Sequence, residues 1–398
     1  MISADYSKQK GVALLAVMIL VLAVTMILAN IFYRHQIDVS QAAVSLHTDQ
    51  ALLIALSGEG WAQELLIEDG KQSQGSPVDH YGEIWAQAMP LFPVEGGTLT
   101  GCISDLQSRI NLNNFSRYAV GNQLQDEMNK ADQNGFAKTW LNLLELLQIP
   151  SSPAKVATIT DWIDPDDNIL SSWGAEQPDY ESYDPPRRVA NQPMTDVTEL
   201  AAVSGYTVQE VQMLMPWITA LPGAGTSQLG ASATTPININ TASEEILLAL
   251  GGFYGQQFVD TVAQGRPFSN IDALYDNLNT NLSLWDVSGA TGVGNGIGRA
   301  NKIWPTDLIN VWSSYFRVYL KAEIGEAEIE VTSIMHRAVG NLNVISRDIS
   351  LVPAVLPTKN ELSEVEKLFA KSGNEIEADD RYDADSAIVQ PACLMMET

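Results

Sequence analysis

The stretch Gly11–Val12–Ala13–Leu14–Leu15–Ala16–Val17–Met18–Ile19–Leu20, running on to Phe32 and Tyr33, decides how the rest of the chain reads. No charged residue occurs from Val12 to Tyr33, and only Thr25, Asn30 and Tyr33 carry polar side-chain atoms. At about 1.5 Å per residue, a helix over this run spans roughly 30 Å, the apolar thickness of a bilayer. Lys8 and Lys10 precede it, and basic flanks stay on the cytoplasmic side, so the remaining chain is sent outward. The run is longer than a signal-peptide core, and no small-x-small cleavage site comes after it. Instead Ile37, Val44, Ala51, Leu52, Ala55, Leu56, Ala62, Leu65 and Leu66 recur at steps of three and four. The pattern predicts a single helix reaching about Ile67, membrane-spanning over 12–33 and amphipathic beyond, with partners along much of its length.

Downstream, the helical period gives way to strand signals and then returns. Gly70 is a plausible helix stop, and Asp79 to Met89 suggests a short connecting helix. Pro93–Val94–Glu95–Gly96–Gly97–Thr98–Leu99–Thr100–Gly101–Cys102–Ile103–Ser104–Asp105 reads as strand, tight turn, strand. From 111 to 310 the pattern is helical, broken by Pro, Gly and Asn, with Gly223–Ala233 as an internal linker. Thr241 is a candidate N-cap, with Glu244 three residues on. Alternation returns at Tyr315–Ile324 and Ala327–Met335, with a third candidate strand at Asn343–Arg347. Strands on both sides of a helical block predict an α+β protein. A long helix packs on an antiparallel sheet over 34–110 and 311–352, and 111–310 is an inserted all-α domain. Residues 353–398 read as an acidic, flexible tail.

Charge narrows the function. The 398 residues include 48 Asp and Glu against 22 Lys and Arg, a net charge of −26. Such a chain repels nucleic acid and suits cations or basic partners. Cys102 and Cys393, the only cysteines, are the candidate disulfide pair in an oxidising periplasm. The four histidines (His35, His47, His80, His336) fall in no metal or triad pattern, and no nucleophile-elbow, phosphate-loop or dinucleotide motif occurs. The chain reads as a non-enzyme.

Lys8–Gln9–Lys10–Gly11 before Val12–Ala13–Leu14–Leu15 resembles a type IV prepilin-like leader (residues 1–11), cut between Gly11 and Val12. More broadly, the chain resembles the K-type minor pseudopilins of bacterial type II secretion. The matching blocks include Gly58–Glu59–Gly60–Trp61–Ala62, Asp105–Leu106–Gln107–Ser108–Arg109–Ile110–Asn111–Leu112–Asn113–Asn114, Asp161–Trp162–Ile163–Asp164–Pro165–Asp166, Asn191–Gln192–Pro193–Met194 and Ile237–Asn238–Ile239–Asn240–Thr241. The resemblance implies a single-pass inner-membrane protein with its bulk in the periplasm, processed by prepilin peptidase and methylated. It also implies assembly with the I- and J-type minor pseudopilins at a pseudopilus tip. Most pilins carry a glutamate at the fifth mature position, where this chain has Ala16. An unpaired carboxylate in lipid is costly, so an apolar residue suits a subunit with none ahead of it.

Two further stretches carry chemistry. Asp161, Asp164, Asp166, Asp167, Glu176 and Asp179 crowd one segment, interleaved with Asn168, Gly174, Trp162 and Trp173. Flexible carboxylates with Asn and Gly are what Ca²⁺ takes as ligands, although the spacing is no EF-hand and a solvated charge run has the same composition. The resemblance implies calcium binding in this region. Residues 237–280 resemble a helix-hairpin-helix module, which elsewhere binds DNA phosphates. Here the hairpin reads Leu250–Gly251–Gly252–Phe253–Tyr254–Gly255 with only Arg266 basic nearby, so structural reuse is expected. A membrane-anchored DNA-uptake protein is the alternative.

Overall fold

The computed structural model describes residues 10–72, 77–87, 89–130, 133–222, 234–286, 297–338, 341–352 and Cys393. Met1–Gln9 of the leader, the linker Gly223–Ala233 and the tail apart from Cys393 lie outside these. In chain order the elements are α1 (Lys10–Gln72), β1 (Phe92–Val94), β2 (Gly97–Asp105), β3 (Ile110–Asn111), α2 (Gln123–Asn129), α3 (Phe136–Leu146), α4 (Pro153–Ile163), α5 (Gln177–Tyr180), α6 (Val208–Leu214) and β4 (Ile218–Thr219). Next come β5 (Ile237–Asn238), α7 (Glu244–Gly251), α8 (Gly255–Gly265), α9 (Ile271–Asn281), β6 (Trp285–Asp286), β7 (Ile297–Gly298), α10 (Ala300–Ile303), β8 (Ile309–Asn310), β9 (Tyr315–Ile324), β10 (Ala327–Ala338) and β11 (Asn341–Val352).

At about 1.5 Å per residue, the 63 residues of α1 extend roughly 95 Å. Its first part is apolar and exposed on all sides from Leu14 to Tyr33. Its last third lies on a five-stranded antiparallel sheet of order β1-β2-β9-β10-β11. Small residues let it lie close. Ala51, Ala55 and Ala62 are fully buried, and a Cβ on Gly58 would sit 3.0 Å from Leu99. Leu66 joins them against Ile103, Val318, Leu320 and Val331. Helix α1 continues through Gly70, where the sequence suggested a stop. The Arg337 side chain crosses the helix there, 3.4 Å from where a Cβ would be, so glycine serves close approach instead of termination. The expected helix over Asp79–Met89 is one 3₁₀ turn, Ile84–Ala86. Cys102 of β2 is disulfide-bonded to Cys393.

The helices between β3 and β8 share one large core, and they form two copies of one arrangement. In the first copy Asn111 accepts from Asn113 N, and the Asn113 carboxamide both donates to and accepts from the Met194 backbone while donating to Leu221 O. In the second, Asn238 accepts from Asn240 N, and Asn240 makes the same bonds to Phe268 and Val311. Each copy pairs two short parallel strands, β3 with β4 and β5 with β8. Each has a helix, a residue at positive φ (Gln148, 58°; Gly252, 51°) and a second helix. Pro193–Met194–Thr195–Asp196 corresponds to Pro267–Phe268–Ser269–Asn270, with Asp196 and Asn270 each capping the next helical turns. The copies differ after the second helix. Arg266 alone joins α8 to Pro267, whereas the whole acidic segment separates α4 from Pro193.

A buried polar joint binds this insertion to the sheet. Asp105, at the end of β2, accepts from Gln107 N (2.7 Å), Ser313 Oγ (2.6 Å), Thr241 Oγ1 (2.5 Å) and Asn238 Nδ2 (3.1 Å). Thr241 is thereby taken from the N-cap role expected of it. Ser243 caps α7 instead, accepting from Ile246 N. Beside it, Asp79 accepts from Ser313 N (2.7 Å) and pairs with Arg337, which also holds Asp69 at 2.8 Å. Glu83 accepts from Trp85 Nε1 (2.7 Å) and His80 N (3.0 Å).

Burial pushes Glu83 up to about 7, with the Asp69 and Asp79 charges adding to it, and pushes Asp105 up to about 6. Both titrate near 4 when unfolded. Their protonation therefore favours the folded state, an effect complete below about pH 4 and lost as the pH rises through about 6 to 7. The melting temperature is expected to fall as the pH rises from about 4 to about 7, and Glu83→Gln to flatten part of that slope. An equally steep slope in the variant would remove Glu83 from the account.

Candidate functional site

The acidic segment is built on the end of α4. Asp161, on the last turn and fully buried, accepts from Leu170 N (2.9 Å) and Ala175 N (2.8 Å), folding the loop back over the helix. Gly174 permits this, because a Cβ there would lie 1.9 Å from Asp161 Oδ2. Asp164 ends α4, and Glu176 precedes α5; they are 3% and 1% exposed. The Trp162 and Tyr180 rings pack together at a tilt of 58°, centroids 5.2 Å apart. Trp162 is thus part of the floor of the run, whereas Trp173 is exposed.

Among the described residues, the atoms left over here are mostly oxygens. Asp164 Oδ1 and both Glu176 carboxylate oxygens are buried without a hydrogen-bond partner, as is Asn191 Oδ1. Burial, then repulsion from Asp161 and its neighbours, pushes Asp164 and Glu176 up to about 7, and burial raises Asp161 to about 6 against its two backbone hydrogen bonds. A native fold rarely strands several buried acceptors together. Asp166 and Asp167 lie at the exposed rim. Asp166 Oδ1 accepts from Asn168, and Asp167 Oδ1 from Asn191 Nδ2 (3.0 Å). The stranded oxygens on Asp164, Glu176 and Asn191, with the rim carboxylates, make the hard, oxygen-only donor set that Ca²⁺ takes.

Of the six expected ligands, Asp161, Asp164 and Glu176 come together in the interior and Asp166 and Asp167 border them. Asp179 caps the start of α5. Its exposed carboxylate accepts from Glu176 N (3.1 Å) at the start of α5. Asn191 was not among the expected ligands. Its backbone at φ 47° donates to Trp162 O, and its side chain faces Asp166 and Asp167. An Asn, which tolerates left-handed backbone, just before Gln192–Pro193 was the available signal. Among the described residues, the acids whose oxygens lie within 4.8 Å of one another are instead Asp69, Asp79 and Glu83, and there Arg337 supplies the positive charge.

Elsewhere, Gly11 and Val12 fall in the first turn of α1. In the second copy two helices meet at a tight hairpin, but Arg266 is half-buried and donates to Ala242 O.

A long exposed apolar helix laid on an antiparallel sheet, with a helical domain inserted between β2 and β9, defines a membrane-anchored, pilin-like subunit. The family model described as type II secretion system (T2SS), protein K, matches residues 108–223. Type II secretion system protein K of Aeromonas hydrophila is 30% identical over 349 residues, covering 85% of this chain and 96% of that protein. The Pseudomonas aeruginosa protein K is also 30% identical, covering 85% and 92%. The chain belongs to the type II secretion system protein K family. In the crystal structure of the GspK-GspI-GspJ complex from enterotoxigenic Escherichia coli, one chain is 21% identical with a TM-score of 0.57, covering 78% of this chain and 99% of that one, and has the same fold.

Proposed function

We propose that this minor pseudopilin sits at the tip of a type II secretion pseudopilus and helps initiate its assembly with the I- and J-type minor pseudopilins. What carries the reading is the unburied apolar surface of α1. Beyond the span Leu14–Tyr33, Val39, Leu46 and Leu53 stay exposed at seven-residue steps, and Trp61 lies about two turns further along. Seven-residue spacing presents one stripe to a neighbouring helix. That other minor pseudopilins supply the helix is supported by the complex of the structural relative. Ala16 at the fifth mature position and the bulk of the insertion support an end position, since only contacts toward the membrane are then needed.

In this reading α1 anchors the chain in the bacterial inner membrane, with the rest periplasmic. Prepilin peptidase cuts between Gly11 and Val12, and Val12 is methylated. The protein acts by assembly and carries no catalysis. No phosphate-binding surface among the described residues recommends the DNA-uptake alternative. Ca²⁺ is held by Asp164 and Glu176 with Asn191, Asp166 and Asp167, and Asp161 shapes the loop around it. The ion supplies the positive charge that these stranded oxygens lack.

Three measurements test this. Leu53→Asp should weaken co-purification of the full chain with its two partner pseudopilins about ten-fold or more without lowering its melting temperature. Retained assembly would exclude the stripe. The mature protein should begin at Val12, and Gly11→Val should leave uncut precursor; an intact Met1 in a functioning protein would exclude prepilin processing. Added Ca²⁺ should raise the melting temperature in proportion to the logarithm of its concentration above Kd, and Asp164→Ala with Glu176→Ala should abolish the rise. A melting curve indifferent to both ion and chelator would return these acids to a structural role.

A further inference from the structure

The two copies within the inserted domain differ in what they place at the end of their second helix. Helices α4 and α8 are both eleven residues long, and counted from their ends Trp162 corresponds to Gln264. Gln264 is exposed, whereas Trp162 is 6% exposed. What covers Trp162 is the added loop. Tyr180 packs on its ring at 5.2 Å, and Asn191 N donates to its backbone oxygen at 3.0 Å. A phenylalanine would also make an apolar floor, so what the indole adds is its N–H.

A buried indole N–H ordinarily finds an acceptor. Among the described residues, the other buried tryptophans obey this. Trp85 donates to Glu83 (2.7 Å), Trp140 to Tyr206 Oη (3.0 Å) and Trp304 to Leu250 O (2.8 Å). Trp162 Nε1 is buried and has no partner. Acceptors without donors stand in the same loop. Both carboxylate oxygens of Glu176, a residue 1% exposed, are buried and unmet. Tyr180 N donates to Glu176 O (3.3 Å), closing one turn that sets the Glu176 and Tyr180 side chains on a common face. Tyr180 lies against the Trp162 ring, so the indole and the Glu176 carboxylate share a neighbour. The other acids are less suited. Asp161 already accepts from Leu170 N and Ala175 N, and Asp164 leaves the helix about 200° around from Trp162. Asn191 Oδ1 is open but neutral, and a bond to a carboxylate is roughly twice as strong.

We propose that Trp162 is a positioning residue for the calcium site, its indole N–H donating to one Glu176 carboxylate oxygen while the other oxygen faces the ion. The inference rests on the Ca²⁺ reading above. An outer hydrogen bond of this kind fixes which oxygen a ligating carboxylate presents, and it leaves neither oxygen stranded.

The test is a calorimetric titration of the full chain in detergent with Ca²⁺, together with the magnetic resonance signals of isotope-labelled indole N–H groups. Benzothienylalanine in place of Trp162 keeps the shape of the ring and removes only the N–H. It should weaken Ca²⁺ binding about ten-fold or more while melting as wild type does in chelator. Trp162→Phe should weaken binding to the same degree, and the indole signal missing from it identifies Trp162. In the wild type that signal should shift when Ca²⁺ is added. Wild-type affinity in the benzothienyl protein, or a Trp162 signal indifferent to Ca²⁺, would overturn the proposal and leave the calcium site standing. A melting temperature lowered equally with and without the ion would also overturn it, by making Trp162 a packing residue alone. No heat from the wild type would overturn the calcium reading and this inference with it.

Discussion

Asp105 is a carboxylate almost wholly removed from water, and it takes four hydrogen bonds from residues that the sequence scatters between Gln107 and Ser313. A buried charge is tolerable only when its lone pairs are met, and removing one partner leaves the full desolvation cost behind. The joint is therefore cooperative. Asn238 spans it, donating to Asp105 and also to Asp79 O and Ser313 Oγ. Asp79 passes the connection through Arg337 to Asp69 on α1. The end of the anchor helix, the edge of the insertion and the middle of the sheet are thus fixed to one another by polar groups that have no alternative partners in water. That rigidity is what lets a helical domain be carried on a pilin unit at a set angle.

The acidic segment obeys a different logic. The joint offsets its carboxylates with donors and an arginine, whereas the loop after α4 leaves several oxygens unanswered. Comparison of the two copies explains why it can do so. The same fold closes in the second copy with Arg266 alone between helix and proline, so the loop is an addition to a unit already complete. It packs into that unit through Ala175 and Tyr180, which join its core.

Much of this was legible in residues. An unbroken apolar run and its amphipathic continuation fixed α1, and period-two alternation with Gly96 and Gly325 at the turns gave four of the five sheet strands at nearly their true bounds. What escaped was decided by distant partners. Thr241 and Glu244 satisfy the local capping rule, yet a carboxylate 136 residues away claims the threonine. Gly70 looks like a stop until Arg337 is seen lying across it. The repeat was hidden because Ile110–Asn111–Leu112–Asn113 and Ile237–Asn238–Ile239–Asn240 are short, and the inserted loop destroys any fixed period between the copies. In the candidate site the acids were visible as composition, but which face inward depends on how Asp161 pulls the loop around. Asp179 caps α5 and Asn191 borders the loop for that reason.

The division of the sheet also sets a timetable. Strand β2 ends at Asp105 and its neighbour β9 begins at Tyr315, so roughly 210 residues separate two strands that lie side by side. At about 5–20 residues per second of synthesis, β2 waits on the order of 10–40 seconds for its partner to emerge. During that interval α1 is already threaded, the first helical copy can close on itself, and the half-made sheet shows an open edge. The bond from Cys102 to Cys393 comes later still, since Cys393 follows β9, β10 and β11 in the chain. Birth order in this protein runs from membrane to insertion to sheet, and covalent closure waits until the sheet has been made.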